Sequence, residues 1–258
     1  MSDSTRPSTR HVFAISGGKD STCLALRFRE IYPDIDADYV ITPTGNELPE
    51  MIDHWNKLQD ILGKRFNIAT NGMTLKYLIN HYKSLPSHRM RWCTRQLKLE
   101  PYYQWIAERT PAISYVGLRA DEDGRYGMSF PETVGVQVKF PLREWGWGLG
   151  DVLSYLDSKG IKIPARTDCA WCYDQTLGEF YRLWHDHPEI YRDGEKMEQM
   201  VSLHRGAEFT FRSPSRDNWP ASMAAMRAEF EKGRVPRGTV RIDDMFLGGM
   251  RRCRACTL

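Results

Sequence analysis

Residues 16–21 read Ser-Gly-Gly-Lys-Asp-Ser and constrain the fold of this 258-residue chain more than any other stretch. They follow a short apolar run, residues 11–15, that predicts a strand, and they precede residues 22–30, which predict a helix. Two adjacent glycines let the backbone turn tightly and aim its N–H groups inward, and a helix N-terminus favours an anion. The pattern therefore predicts a phosphate-binding loop between a strand and a helix.

This loop differs from two better-known phosphate cradles. The Walker pattern is Gly-x-x-x-x-Gly-Lys-Ser/Thr and the dinucleotide fingerprint is Gly-x-Gly-x-x-Gly, and neither occurs in the chain. Residues 16–21 resemble instead the PP-loop of the adenine nucleotide alpha-hydrolase superfamily. That resemblance implies binding of ATP or a related nucleotide and chemistry at its α-phosphate.

Composition narrows the class of protein. The chain is 41% hydrophobic, which is enough for a sizeable core, yet no apolar run approaches the roughly 20 residues that a membrane span needs. The first ten residues are polar and basic, without the apolar segment of a secretory signal, so we expect a cytoplasmic protein with no membrane partner. Six cysteines in such a compartment favour metal ligands, catalysts or core residues over disulfides.

Charge is distributed unevenly along the chain. The net charge is +3, but residues 205–258 carry eleven Lys or Arg against six Asp or Glu, a net +5. This basic tail is suited to phosphates, a nucleic acid or an acidic partner, and a solvated surface is the alternative interpretation.

Strand and helix patterns alternate through the first part of the chain. Strands are predicted at residues 11–16, 37–42, 65–70 and 113–118, and helices at 22–32, 49–62, 74–84 and 95–108. Alternation of this kind predicts an α/β fold with a parallel, Rossmann-like sheet covered on both faces, whose ligands bind at the carboxyl ends of the strands. Further helices are predicted at residues 150–158, 176–186, 188–203 and 221–232.

We divide the chain into three regions. Residues 1–10 are expected to be disordered, residues 11–165 to form the nucleotide-binding α/β domain, and residues 166–258 to form a helical, basic region that bears the Cys-x-x-Cys pairs.

Several segments occur in the order typical of one family. They are the PP-loop, residues 44–50, residues 91–101, residues 117–122 followed by Arg125, residues 140–145 followed by residues 151–152, and the Cys-x-x-Cys of residues 169–172. This ordered set resembles the phosphoadenosine phosphosulfate (PAPS) reductase family over residues 11–200. The resemblance implies an adenine nucleotide, ATP or a sulfonucleotide, as ligand.

The intact PP-loop resembles the ATP-using branch of that family, and in particular the sulfur-inserting subunit of DNA phosphorothioation systems. This implies adenylation of an acceptor with release of pyrophosphate, followed by attack from sulfur. A nucleic acid is then a candidate acceptor, and a sulfur-donor protein a candidate partner. Two alternatives remain open: a thiol-dependent PAPS or adenylyl-sulfate reductase, and a nucleotide-binding regulator without catalysis.

Candidate site residues follow from the loop and from the resemblance. The predicted nucleotide-binding set is Ser16, Gly17, Gly18, Lys19, Asp20, Ser21, Thr44, Gly45, Glu47, Lys98, Gly117, Arg119 and Arg125. Lys19 and the backbone donors are placed to stabilise a leaving pyrophosphate with Mg²⁺, and Asp20 and Glu47 are candidates for ordering the loop or the metal. The resemblance supplies Lys98, Arg119 and Arg125 as phosphate or sulfate contacts. Lys19, Asp20 and Cys93 are the predicted catalytic residues.

The cysteines suggest a second centre. Cys169 and Cys172 form one Cys-x-x-Cys, Cys253 and Cys256 form another, and Cys93 stands alone. Paired thiolates at this spacing suit Zn²⁺ or an iron–sulfur cluster.

Adenylyl-sulfate reductases place a Cys-Cys pair and a Cys-x-x-Cys around a 4Fe-4S cluster, but here the first pair has become Cys93-Thr94. The resemblance implies a cluster on Cys93, Cys169 and Cys172, with Cys256 or Cys253 as the fourth ligand or with one iron left open. Structural Zn²⁺, a redox dithiol and no metal are the alternatives, and a C-terminal cysteine is the nucleophile in the reductase interpretation. Cys23, within an apolar helix, is interpreted as core packing.

Overall fold

The structure is a computed structural model, and it describes residues 8–122, 124, 125, 127 and 129–237. The disorder predicted for residues 1–10 falls mostly on residues 1–7, and the second Cys-x-x-Cys, Cys253 and Cys256, falls within residues 238–258. Residues 1–7 and 238–258 lie outside the described residues, so the predictions made for them stay predictions. Arg10, by contrast, was predicted to be disordered and instead begins a strand, because its backbone joins the sheet and its side chain donates to Asp38 at 3.1 Å.

Five strands form one parallel sheet, which confirms the predicted fold class. They are β1 (Arg10–Ala14), β2 (Ala37–Ile41), β3 (Asn67–Ile68), β4 (Ala112–Tyr115) and β5 (Val136–Lys139), in the order β3-β2-β1-β4-β5. In register, His11 of β1 lies opposite Ala37 of β2 and Ile113 of β4. From β1 the chain adds β2 and β3 on one side of the sheet, and it then adds β4 and β5 on the other side of β1. The strand order therefore reverses between β1 and β4, and a crevice opens there at the carboxyl ends of the strands.

The helices follow the predicted order. They are α1 (Lys19–Ile31), α2 (Pro49–Leu62), α3 (Leu75–Tyr82), α4 (Trp92–Thr94), α5 (Glu100–Ala107), α6 (Pro141–Glu144), α7 (Leu149–Ser158), α8 (Leu177–Asp186), α9 (Pro188–Arg205) and α10 (Met223–Glu231). A 3-10 turn, Glu132–Val134, precedes β5. Thr74 begins α3 by accepting a hydrogen bond from the Tyr77 N–H at 3.1 Å, as helix-capping threonines do. No helix of the described ranges is long and apolar enough to cross a lipid bilayer.

Two hydrophobic layers cover the sheet, and a third core lies under the C-terminal helices. Phe13 and Tyr115 stack with ring centroids 4.7 Å apart beneath α1 and α7, while Val12 on the opposite face packs with Tyr102 of α5. Residues of α8, α9 and α10 bury a separate core that also takes in side chains of α3, such as Leu78. The predicted helical C-terminal portion therefore packs onto the α/β layers through α3.

Helix α1 begins three residues earlier than the sequence predicts. Gly18 is its N-cap, with φ −73° and ψ 167°, so Lys19 starts the helix and Asp20 and Ser21 lie in its first turn. The physical reason is that the second glycine, although flexible, adopts an ordinary extended conformation, and the left-handed turn falls on Gly17 at φ +78°. The backbone N–H groups of the loop are therefore the unsatisfied N–H groups of a helix terminus.

The helix predicted over residues 95–108 begins at Trp92 and contains a π-helical turn, Arg95–Leu99, between α4 and α5. In that turn the Glu100 N–H donates to the carbonyl of Arg95, five residues back. Pro101 follows directly and lacks an N–H, so the regular α-helical hydrogen bond cannot form there. A widened turn of this kind often marks a functional segment.

We expect Gly117→Ala to destabilise the protein by about 1–3 kcal/mol, the usual cost of overpacking. Gly117 follows β4, and a Cβ there would lie 2.9 Å from the Asp20 carbonyl carbon and 3.0 Å from the Ser21 nitrogen. Gly150→Ala is the matched control, since a Cβ in that helix meets nothing within 4 Å and should add about 0.5–1 kcal/mol. Urea unfolding measures both variants, and equal midpoints would contradict the proposed close approach.

Candidate functional site

The loop of residues 16–21 is closed by its own serines. The Ser16 and Ser21 hydroxyls lie 3.0 Å apart, the Gly18 N–H donates to the Ser16 hydroxyl at 3.2 Å, and the Ser21 hydroxyl donates to the Gly18 carbonyl at 3.2 Å. A Cβ on Gly17 would lie 1.9 Å from the Met51 side chain. Glycine at this position therefore lets the loop lie directly against α2.

Asp20 lies between two cations. Its Oδ2 is 3.3 Å from the Lys19 ammonium, and its Oδ1 accepts from Arg119 at 2.9 Å. Arg119 also donates to Asp121 at 2.8 Å, and both Lys19 and Arg119 are only 4% exposed. The loop, which follows β1, is thus bonded to the segment that follows β4. The structure brings Lys19, Asp20 and Arg119 together, and it gives Arg119 carboxylate partners.

Arg125 and Arg143 meet at the next acidic residue, Glu122. The Glu122 carboxylate accepts from the Arg119 N–H at 3.2 Å and from Arg125 at 2.5 Å, while Arg143 donates to the Glu122 and Arg125 carbonyls. Burial acts to raise the pKa of Glu122, but the hydrogen bonds and positive charges of Arg125 and Arg119 together outweigh burial, and the pKa is lowered. Glu122 and Arg143 belong to segments that the sequence analysis quoted, although it assigned them no role.

Glu47 orders the turn at residues 44–47. One carboxylate oxygen accepts from both the N–H and the hydroxyl of Thr44 at 2.6 Å, and the other accepts from the Asn46 N–H at 3.1 Å. Gly45, at φ +69°, leaves no room for a Cβ, which would lie 2.6 Å from the Thr74 methyl group. Of the two roles predicted for Glu47, the observed contacts are those of a loop-ordering residue.

A cleft opens beside the loop at the carboxyl ends of β1 and β2. We call it the loop cleft; its lining includes Ser16, Glu47, Trp55, Lys98, Asp168 and Cys169, and it holds about 380 Å³ of empty space open to solvent. The indole N–H of Trp55 is buried and has no hydrogen-bond partner among the described residues. An unsatisfied donor in such a position is available to an acceptor on a ligand.

A second cleft adjoins the first. This cysteine pocket is lined by Cys93, Cys169 and Cys172 together with side chains that include Thr44, Lys98 and Tyr173, and it holds about 360 Å³ of empty space. All three cysteines are free thiols. Lys98 and Cys169 line both clefts, so these two residues form a wall that the loop cleft and the cysteine pocket share.

Two of the pocket thiols, those of Cys93 and Cys172, favour their protonated form. Burial, with the neighbouring Cys169, raises the pKa of Cys93 to about 11, and Lys98 opposes this shift. The hydrogen bond with Cys169, together with burial, raises the pKa of Cys172 as well. Cys23, by contrast, is fully buried in the core between α1 and the sheet, which confirms the interpretation of it as a packing residue.

Residues that the sequence analysis missed fix the Cys-x-x-Cys turn. The Asn46 carbonyl accepts from the Ala170 N–H at 2.7 Å, and its side-chain oxygen accepts from the Trp171 N–H at 3.0 Å. Arg166 donates to the Cys169 carbonyl at 2.9 Å. Asn46 lies between Thr44 and Glu47 in a segment already quoted, but only the folded chain shows it beside the cysteines.

The fit of a metal to this pocket rests on its donors. Three thiols from two segments line one pocket, and thiolate sulfur is the ligand that iron–sulfur clusters and structural Zn²⁺ take. Across residues 8–122, 124, 125, 127 and 129–237, however, no three His, Cys, Asp or Glu side chains are positioned to hold a metal ion together. The thiol donors therefore fit a cluster or Zn²⁺ chemically, but their side chains are not already arranged around one metal position. The predicted fourth ligand, Cys253 or Cys256, lies outside the described residues.

Comparison with known proteins identifies the family that this chain matches. The model of the phosphoadenosine phosphosulfate reductase domain matches residues 10–168. An uncharacterized protein of Methanocaldococcus jannaschii is 25% identical over 200 residues, which cover 71% of this chain and 40% of that protein. The chain therefore spans less than half the length of this relative.

One solved structure shares the fold, and a second is similar over a smaller part of the chain. The U34-tRNA thiolase NcsA from Methanococcus maripaludis, with its 4Fe-4S cluster, is similar with a TM-score of 0.51 and 16% identity, over 78% of this chain and 75% of that one. The PAPS reductase from Candida auris, in a phosphate complex, has a TM-score of 0.48 and 15% identity, over 61% of this chain and 76% of that one. The likeness to the thiolase is one of fold.

His54 makes the stability of the loop region depend on pH. It lies on α2 and is 5% exposed; burial lowers its pKa from 6.5 to about 4, against an opposing hydrogen bond with the Gly17 backbone. The unfolded chain takes up this proton below about pH 6.5 and the folded chain only below about pH 4. His54 therefore contributes about 3 kcal/mol above pH 6.5, which is lost as the pH falls to 4.

We expect His54→Gln to remove that part of the pH dependence. Chemical unfolding at several pH values between 7 and 4.5 measures the slope, which separates titration from any pH-independent loss caused by the substitution. The exposed His204→Gln is the control. An unchanged slope in His54→Gln would show that another group is responsible.

Proposed function

The chain belongs to the phosphoadenosine phosphosulfate reductase domain family, and we propose that it is an enzyme that adenylates an acceptor with ATP and then replaces the adenylate by sulfur. One observation carries the proposal: the loop cleft and the cysteine pocket share Lys98 and Cys169 as a common wall. An intermediate activated in one cleft is thereby within reach of chemistry in the other, without diffusing through solvent.

In the first step an oxygen of the acceptor attacks the α-phosphorus of ATP. The bond between the α-phosphorus and the bridging oxygen breaks, and pyrophosphate leaves with the electron pair. The charge that develops on pyrophosphate is stabilised by the backbone N–H groups at the start of α1 and by Lys19. Mg²⁺ on the phosphates neutralises further charge and needs few protein ligands. Asp20 acts by orienting Lys19, since its two oxygens contact Lys19 and Arg119.

In the second step a sulfur nucleophile at the oxidation level of sulfide attacks the activated centre. The bond between that centre and the adenylated oxygen breaks, and AMP leaves, so no net oxidation or reduction occurs. Lys98 lines both clefts, and in this proposal it balances the charge of the departing AMP. Cys93, Cys169 and Cys172 line the pocket in which that sulfide would be held, and they are not themselves sulfurated.

A metal centre on these cysteines is part of the proposal. Cys93, Cys169 and Cys172 would hold it, and a cluster with one open iron would supply a binding place for sulfide. The thiolase of the same fold carries a 4Fe-4S cluster, which is why we put iron before zinc. Asn46 and Arg166, which fix the backbone of the Cys-x-x-Cys turn, would orient two of the ligands.

The alternative activity, thiol-dependent reduction of PAPS or adenylyl sulfate, has the family match in its favour. In that reaction a cysteine thiolate attacks the sulfur of the sulfonucleotide, the nucleoside phosphate leaves, and a second thiol releases sulfite with formation of a disulfide. The two activities differ in product. Pyrophosphate from ATP supports our proposal, whereas sulfite from a sulfonucleotide supports the alternative.

We expect Lys19→Gln to lower pyrophosphate release by about 10²–10³-fold, the usual loss for one donor to a developing charge. The assay follows pyrophosphate from ATP in the presence of nucleic-acid and protein acceptors. Lys57→Gln, on the exposed face of α2, is the charge-matched control and should keep full activity. Equal rates for both variants, or sulfite as the product, would overturn the proposed reaction. Nucleotide binding without turnover would favour the regulator.

Metal analysis tests the cysteine pocket. After anaerobic purification we expect iron and acid-labile sulfide, together with a broad visible absorbance, and we expect each of Cys93→Ser, Cys169→Ser and Cys172→Ser to reduce the metal content severely. Cys23→Ser removes a thiol in the core outside the pocket and should retain the metal. Zinc without iron would support the structural-zinc alternative. Full metal content in all three pocket variants would show that the cysteine pocket is not the metal site.

A further inference from the structure

The chain contains a long segment without acidic residues. Between Asp60 and Glu100, residues 61–99 include eight Lys or Arg and no Asp or Glu. Because the whole chain has a net charge of +3, the other residues together carry −5. The strongest positive bias of the sequence therefore lies in this segment, which also contains Cys93 and Lys98, and not in the C-terminal tail.

The folded chain displays part of this segment on one exposed surface. Helix α3, the connection at residues 83–91 and the helix that begins at Trp92 present Lys76, Arg89 and Arg95 to solvent, with Arg95 65% exposed. Arg205, at the end of α9, donates to the carbonyls of Tyr82 and Lys83 and adds a further cation. We call this surface the basic face. Its carboxylate neighbours come from other segments: Asp193 lies 3.9 Å from Lys76, Glu100 lies 3.5 Å from Arg95, and Asp174 lies 3.5 Å from His88.

Exposed aromatic rings lie among these cations. Tyr77 is 53% exposed and stacks on His81 with ring planes 8° apart, and Tyr82 packs against Trp92. An acidic protein partner would be attracted by the cations alone and would not need the rings. The bases of single-stranded nucleic acid, in contrast, stack on exposed aromatic rings. Cations with interleaved, solvent-exposed rings are the combination that binds single-stranded nucleic acid.

The basic face leads to the cysteine pocket. The Tyr82 hydroxyl is hydrogen-bonded to the Gln96 side chain, which lies in the π-helical turn that also carries Lys98. Trp92 precedes Cys93 in the chain, and His88 packs edge-on against Tyr173 of the pocket wall at 5.0 Å. A strand lying on Tyr77 and Tyr82 would therefore run toward the thiols.

We propose that the basic face binds the acceptor, and that the acceptor is a single-stranded or unpaired segment of nucleic acid whose phosphates contact Arg89 and Arg95 and whose bases stack on Tyr77. This inference rests on the proposed function because it names the acceptor of that reaction. It differs from the sequence-based expectation, which placed nucleic-acid binding on the tail.

Binding is measured without ATP, using labelled single-stranded DNA and RNA of about 20 nucleotides, longer than the roughly 4–16 nucleotides that one such fold covers. We expect Arg89→Gln/Arg95→Gln to weaken binding and to reduce the slope of log K against log salt by about 1.4, that is about 0.7 per lost phosphate contact. Tyr77→Ala should weaken binding about 5- to 150-fold, and Tyr77→Phe should restore it, since the ring is retained.

Lys57→Gln/Lys162→Gln is the charge-matched control, because both side chains are exposed on other elements; it should leave the salt slope unchanged. Equal losses in the control would mean general charge attraction and would overturn the proposal. Binding of polyaspartate in place of nucleic acid would assign the face to an acidic protein instead. Failure of pyrophosphate release alone would remove the proposed function but leave this binding result standing.

Discussion

The ion pair between Asp20 and Arg119 is the interaction on which the site depends. Asp20 lies in the first turn of α1, after β1, and Arg119 follows β4, so the pair spans the crevice where the strand order reverses. Both side chains are largely shielded from water, and leaving one of them without the other would strand a buried charge. The close approach of Gly117 to the same turn makes this contact possible.

The second constraint is the placement of one helix between two clefts. The π-helical turn that precedes Pro101 carries Lys98, and the residues just before it carry Cys93. The same stretch therefore supplies a cation to the loop cleft and a thiol to the cysteine pocket. Asn46 completes the connection, because it belongs to the turn beside the loop and yet bonds the backbone of the Cys-x-x-Cys segment. The proposed adenylation in the loop cleft and the proposed sulfur chemistry in the cysteine pocket thus both depend on the helical stretch from Cys93 to Lys98.

Agreement between sequence and structure is strongest where local rules act. The alternation of apolar strands with helices placed three strands and the neighbouring helices nearly correctly, and Cys23 was identified as a core residue. The agreement is weaker for features that tertiary contacts determine. The edge strand predicted at residues 65–70 is found only at Asn67–Ile68. Arg119, predicted as a phosphate contact, pairs with Asp20, which is 99 positions away in the chain. Spacing alone could not show either outcome.

The sequence by itself determined the class of fold and the position of the phosphate loop, because glycine spacing and hydrophobic periodicity act over a few residues. It also determined which residues have chemistry to offer, including the thiols at Cys93, Cys169 and Cys172. Only the tertiary structure decided that these thiols share a wall with the loop cleft and that Asn46 supports the Cys-x-x-Cys turn. The physical reason is that such contacts join residues more than seventy positions apart, and packing of the whole chain, not local propensity, brings them together.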